Sequence, residues 1–262
     1  MQSVLNTLRV LEELAVRQPV GVAELARGLD LPKSTVQRAL GTLHTAGWIK
    51  QTGTTPTRWT LTTKALLVGR QATGELGLRD VAVPVMEALR REVDETVHLA
   101  VPEGDRVVLV ERLETSQPVR IVLPLGQNLS GHASANGKAI LAARSPEAVE
   151  RYIAEGLPRF TRTTIGDAEA LRADLAAVRA RGYALNEREW RDDVSAVAAA
   201  VLGPDGTPVA SVSVNMPASR CDRKRLDQLG AHVRAAAREV SAALGYEAPR
   251  SGRVAPRDGR AG

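Results

Sequence analysis

The sequence predicts an α+β fold in two parts. A small helical N-terminal region closed by a hairpin precedes a larger C-terminal region in which helices cover a mainly antiparallel sheet. Three observations lead there. Apolar residues recur at helical spacing through residues 4–46. Beyond residue 95, short β-branched runs alternate with turn signals. The chain has 262 residues, more than one compact domain usually needs. A hydrophobic share of 44% with 25% charged residues excludes disordered and fibrous classes. Aromatics make up only 3%, so the core must be built of Val, Leu, Ile and Ala.

Taken in order, Val4, Leu5, Leu8, Leu11, Leu14 and Ala15 place a helix over 4–15, with Ser3 as its cap and Pro19 and Gly21 beyond its end. A short helix over 22–29 closes at Gly28 and the turn around Asp30. Pro32 opens a third helix over 33–46, with Val36, Ala39, Leu40 and Leu43 on one face and Gly47 as its stop. Short strands over 48–51 and 58–61 flank a loop of Thr, Gly and Pro. Helix, helix, turn, helix and hairpin is the order of a winged helix-turn-helix, spanning 1–63. A linker helix over 64–78, weakened by Gly69, Gly74 and Gly77, leads into a second domain over 79–248. This domain begins with a helix over 78–93. Strands over 96–101 and 106–113 follow, joined at Pro102-Glu103-Gly104-Asp105, and then a third strand over 119–123. Helices over 133–143, 146–154 and 167–181 precede strands over 183–186, 196–202 and 208–214. A long amphipathic helix over 222–244 closes the domain. Residues 249–262, rich in Gly, Pro and Arg, read as a disordered tail.

Charge is distributed unevenly. Residues 1–75 hold nine Lys/Arg against five Asp/Glu, residues 76–248 hold 22 against 24, and the tail holds four Arg against Asp258. A cationic segment on a near-neutral body suggests an anionic polymer partner. Cys221 is the only cysteine, which excludes an intramolecular disulfide and a cysteine-based zinc site. No apolar run approaches the length of a membrane span, and no secretory leader is recognisable, so the expectation is a cytoplasmic protein with no membrane partner.

The strongest chemical signal opens the third helix, Pro32-Lys33-Ser34-Thr35-Val36-Gln37-Arg38. A reading helix in the major groove must offer donors from its first turns, and Lys33, Ser34, Thr35, Gln37 and Arg38 supply five polar groups in six positions. Arg58, at the end of the 52–58 wing loop, is a candidate phosphate or minor-groove contact. Gly131-His132-Ala133-Ser134-Ala135-Asn136-Gly137-Lys138 is similar to the G-x-x-x-x-G-K phosphate-binding loop, but with five residues between its glycines instead of four. Ala139 stands where the magnesium-binding hydroxyl belongs, and no buried strand precedes the motif. His98, His132, Glu111 and Glu189 show no metal-ligand spacing, so satisfied polar histidines are expected and neither a metal nor a cofactor is implied.

These residues resemble the IclR family of bacterial transcription regulators over nearly all of 3–245. The anchors are Leu31-Pro32-Lys33-Ser34-Thr35-Val36, Thr96-Val97-His98-Leu99-Ala100, the stretch from His132 to Ala139, Arg181-Gly182-Tyr183-Ala184, Val197-Ala198-Ala199-Ala200-Val201 and Ser211-Val212-Ser213-Val214. The resemblance implies a winged helix-turn-helix, a linker helix and a GAF-like effector domain. It also implies homodimers or homotetramers on double-stranded operator DNA and a small organic effector, often a carboxylate or aromatic acid. By motif, Ile121 and Leu129 would wall the effector pocket, with the amides of Ala135 and Asn136 at a helix start. Asn186, Val194 and Ala196 would come from the next strands, and Ser213 and Asn215 from the last. Asn186 stands where the family commonly has an acid, Ala196 where it has a cysteine and Asn215 where it has a serine. The pocket thus keeps hydrogen-bonding groups but loses a carboxylate and a thiol. Two other readings stay open: an enzyme with a fused DNA-binding module using Lys138 or a histidine, and a constitutive DNA-binding protein whose sheet domain only dimerises.

Overall fold

A computed structural model describes residues 2–53, 55–72 and 77–247. The chain divides into two compact units at residues 76 and 77. In the first unit, α1 (Gln2–Arg17), α2 (Val22–Leu29) and α3 (Lys33–Thr45) precede a hairpin of β1 (Ile49–Gln51) and β2 (Trp59–Leu61), followed by α4 (Lys64–Ala72). Buried Val10, Leu14, Leu25, Leu40, Ile49 and Trp59 form its core. Asp30 takes the left-handed turn after α2 (φ 52°), a conformation that Asp tolerates better than most residues, and this turn sets α3 across α2. Pro32 sits one place earlier than expected, at the N-cap of α3, where its lack of an N–H costs nothing.

The second unit is built on one antiparallel six-stranded sheet in the order β5-β4-β3-β8-β7-β6. Its strands are β3 (Thr96–Glu103), β4 (Arg106–Leu113), β5 (Asn128–Leu129), β6 (Ala184–Glu187), β7 (Val194–Leu202) and β8 (Pro208–Pro217). One face carries Val97, Leu99, Val197, Ala199, Val212 and Val214, and it packs on α5 (Leu78–Val93) and α9 (Arg223–Ala243). The register puts Thr96, His98, Ser211, Ser213, Asn215, Ala196 and Asn186 on the opposite face. That polar, small-residue face is covered by α6 (Ala135–Ala143), with α7 (Pro146–Ala154) and α8 (Ala168–Arg181) outside it. Among the described residues no helix is long and apolar enough to cross a membrane.

One expected strand is absent. Residues 119–123 form no ladder, although Ile121 and Leu123 are buried. Two of the segment's carbonyls are taken by side chains instead: Arg112 donates to the Leu123 carbonyl, and Arg220 donates to that of Val119 at 2.7 Å. The edge strand is the two-residue β5, paired with Val107 and Val108. Helix α6 starts at Ala135 instead of 133, because Ser134 caps it by accepting the Gly137 N–H at 3.0 Å. The 249–262 tail, Thr54 at the wing tip and residues 73–76 of the linker lie outside the described residues.

Candidate DNA-reading helix and effector cavity

Burial of Val36, Ala39, Leu40 and Leu43 fixes the roll of α3 in the first unit. It leaves Lys33, Ser34, Gln37 and Arg38 exposed, with Thr35 half-buried. Lys33 and Gln37, and Ser34 and Arg38, are four apart and so stand one above the other on a single ridge. None of these four side chains has a protein partner among the described residues. Arg58 is placed differently. Its guanidinium donates to Glu24 Oε1 at 2.9 Å and to the Pro19 carbonyl at 2.8 Å. Glu24 also accepts the Gly21 N–H that opens α2. Arg58 therefore ties the hairpin to the helix before the reading helix, and its charge is already matched by Glu24.

In the second unit, a cavity of about 10 Å³, room for about one water, lies between the polar sheet face and the start of α6. Eight of the nine residues carried over from the resemblance line it: Ile121, Leu129, Ala135, Asn136, Asn186, Val194, Ala196 and Asn215. Ser213 does not line it; its hydroxyl accepts a hydrogen bond from Asn215 Nδ2 at 2.8 Å and so fixes that amide. Asn136 is similarly held, donating to Ser211 Oγ at 3.0 Å, and Asn186 accepts the Glu189 N–H at 2.8 Å. No carbonyl or side chain among the described residues takes the amides of Ala135 and Asn136, so the positive end of α6 faces the cavity.

His98 corrects an expectation. Its ring lines the cavity, fully buried, and neither ring nitrogen has a hydrogen-bond partner among the described residues. Burial, helped by the nearby Arg112 cation, pushes its pKa down to about 3, so the imidazole is neutral. Thr96 Oγ1, on the same face, likewise has no partner among the described residues. Sequence reasoning missed His98, Trp190, Leu123 and Ser134 as lining residues. The available signal was the period-two parity that puts Thr96 and His98 on one side of a strand. His132, in contrast, is satisfied by Tyr152 Oη at 2.8 Å and the Pro158 carbonyl at 3.0 Å.

The phosphate-loop-like motif has a packing explanation. A side chain at Gly137 would collide with the Ser130 carbonyl, and one at Gly131 would meet the Tyr152 ring at 2.7 Å. Lys138 points inward, buried, with its ammonium 2.6 Å from Glu189 and 3.2 Å from Asp174. Glu111 pairs with Arg79, far from forming a set with Glu189 and the histidines. Among the described residues no group of His, Cys, Asp and Glu is arranged to hold a metal.

Comparison with known proteins gives a consistent answer. The helix-turn-helix domain model of IclR matches residues 3–53, and the model for the C-terminal region of bacterial IclR regulators matches residues 70–242. The chain is 32% identical over 249 residues to the transcriptional repressor IclR of Escherichia coli K12, covering 94% of this chain and 90% of the relative. It is 31% identical to the regulator KdgR of the same organism, covering 94% of each. The IclR crystal structure from Thermotoga maritima superposes with a TM-score of 0.80 at 24% identity, covering 94% of this chain and all of the other. An IclR homologue from Microbacterium hydrocarbonoxydans complexed with 4-hydroxybenzoate gives 0.77 at 26% identity, covering 92% of this chain and 98% of the other. The chain belongs to the IclR family of bacterial transcriptional regulators, the class of ligand-responsive DNA-binding proteins to which its two units correspond.

Proposed function

We propose that the chain binds operator DNA as a homodimer or homotetramer through α3, and that a small organic acid held between the polar sheet face and α6 switches it. The reading rests on one combination: an unpartnered polar ridge on α3 and, in the other unit, a buried cavity whose His98 nitrogens and α6 amides lack partners. Lys33, Ser34, Gln37 and Arg38 meet bases and phosphates, with Thr35 at the edge of the contact. Arg58 acts by positioning α2 and the wing. Oligomerisation is supported by apolar side chains left in solvent, Val4, Leu5 and Leu8 on α1 and Leu66 and Leu67 on α4, each about half or more exposed.

The effector's carboxylate sits at the Ala135 and Asn136 amides. Its remaining polar atoms meet His98, Asn186 and Asn215, while Ile121, Leu129, Val194 and Ala196 enclose its apolar part. The 4-hydroxybenzoate bound by the Microbacterium relative has this chemistry. An acid of that size exceeds the present cavity, so the strandless 119–123 roof must move on binding. This displacement is the step that transmits the signal. The chain is read as non-catalytic, because the Lys138 ammonium that an enzymatic role would use is locked between Glu189 and Asp174.

Fluorescence anisotropy on DNA from upstream of the chain's own gene tests this, with and without a panel of hydroxylated aromatic and aliphatic acids. Sequence-dependent, salt-sensitive binding is expected, with an active acid changing affinity by about 5–150-fold. Absence of any sequence-dependent binding overturns the reading. Binding that no acid alters, with no acid raising the melting temperature, establishes the constitutive alternative.

A further inference from the structure

Helix α6 reaches a second, larger cavity at its C-terminal end. A cleft of about 750 Å³ opens there between α8 and α9, a volume typical of small-molecule sites. Strand length accounts for it. β6 pairs only with residues 195–198, so β7 continues to Leu202 with no strand along its outer edge, and the two helices stand on either side of that edge. Ala139, Ala142, Ala199 and Ala237 form an apolar floor.

Three arginines line the cleft, Arg179 from α8 and Arg234 and Arg238 from α9, and among the described residues no Asp or Glu lines it. Their donors are largely unused. Arg179 gives one N–H to the Ala142 carbonyl at 2.7 Å, and Arg234 gives one to the Arg181 carbonyl at 3.1 Å. Arg238 has no protein partner among the described residues. Arg234 depends on Gly182, which ends α8 in the left-handed region (φ 82°) and where a side chain would come within 2.7 Å of Arg234 Cδ. Two of the chain's three tyrosines, Tyr183 and Tyr246, stand at the same cleft.

An unbalanced cluster of guanidinium groups over an apolar floor selects for both charge and a hydrocarbon body. An inorganic anion would leave the floor uncovered. A peptide adding to the β7 edge would find the Leu202 N–H already given to Ser241 Oγ at 2.9 Å. We propose that this cleft is a second ligand site, separate from the effector cavity, for an organic carboxylate with an apolar body. The carboxylate meets Arg234 and Arg238, four apart on α9, with Arg179 opposite, and the body lies on the alanine floor.

Calorimetric titration of the full chain with decanoate, and with decanol as the uncharged control, tests the site. Decanoate should saturate one site per chain and bind at least about tenfold tighter than decanol. The Arg234→Gln/Arg238→Gln double variant should weaken it about tenfold or more, and Ala242→Trp, an exposed position on the cleft wall, should block it. Ala196→Phe, which intrudes on the effector cavity, should leave it unchanged, so failure of the effector reading and failure of this one give different results. The proposal is overturned by no saturable decanoate binding, equal binding of decanol, full affinity in the double Arg variant, or loss in Ala196→Phe with retention in Ala242→Trp. An altered oligomeric state in Ala242→Trp with decanoate affinity intact also overturns it, since the cleft would then be covered by a second copy of the chain.

Discussion

The unpartnered imidazole of His98 makes stability depend on pH in a way that one substitution can isolate. Folded, the ring is neutral with a pKa of about 3; unfolded, it regains its ordinary value of 6.5. Between those values the unfolded chain holds a proton at this site that the folded chain refuses. The contribution of the neutral ring is therefore complete above pH 6.5 and is lost progressively as pH falls toward 3, at up to about 1.4 kcal/mol per unit. Going from neutral pH to pH 5 crosses about 1.5 of those units, a loss of about 2 kcal/mol. His98→Leu removes the titration, so urea unfolding of the variant should show a pH dependence flatter than wild type by that amount. Burial raises the Glu189 carboxyl, which acts in the opposite direction, but it is present in both proteins and cancels in the difference. The His98 ring resonance should also hold its neutral position down to pH 5 in NMR spectra. Parallel stability profiles, to within about 0.5 kcal/mol, or a His98 resonance that titrates between pH 5 and 7, would refute the argument.

Four further outcomes are expected. Lys33→Ala and Arg38→Ala should each weaken DNA binding and lower the slope of log affinity against log salt by about one per phosphate contact removed, while thermal melting stays unchanged. Arg58→Ala should do the reverse: leave that slope unchanged and cost no more than about 1 kcal/mol in unfolding experiments, since the Glu24 pair is more than one-third exposed. Lys138→Met strands the buried Glu189 charge and should destabilise the second unit by about 3–5 kcal/mol. Adding Glu189→Leu should recover most of that loss, and a silent single variant would mean that the ion pair is not sealed from water. Ala196→Phe should abolish acid-induced changes in DNA affinity while size-exclusion behaviour stays that of wild type; a retained response would remove Ala196 from the effector wall.

Much of the fold was legible because its punctuation is local. Asp167 and Asp222 accept the N–H three residues on and fix two helix starts, and Ser145 with Pro146 fixes a third. Residues 119–123 misled because period-two alternation reports only that one side of an extended segment is buried. A lid lying on a cavity meets that condition as well as a strand does. The bracketing Pro118 and Pro124 are compatible with either. What separates them is where the carbonyls go, and here the acceptors are reached by Arg112 and Arg220, the second about 100 residues away in sequence.

The site was legible to a different depth. The α3 ridge follows from spacing alone, since four buried apolar positions dictate which polar ones face out. The loneliness of His98 could not be read this way, because it depends on what its cross-strand neighbours are doing. The register sets His98 opposite Ser213 on one side and Arg112 on the other, both capable partners. The Ser213 hydroxyl accepts from Asn215, the Arg112 guanidinium holds the Leu123 carbonyl and Glu114, and neither is bonded to the ring. The imidazole thus stays without a partner among the described residues, although two capable groups stand opposite it in the register. Leaving a buried donor or acceptor unmet costs about 1–3 kcal/mol. A ligand bearing a hydrogen-bonding group recovers that energy and an apolar one does not. Arg112 ties the roof through the Leu123 carbonyl, so under the proposed function a ligand that reaches His98 must displace that contact, and recognition by His98 and movement of the 119–123 segment would be one event.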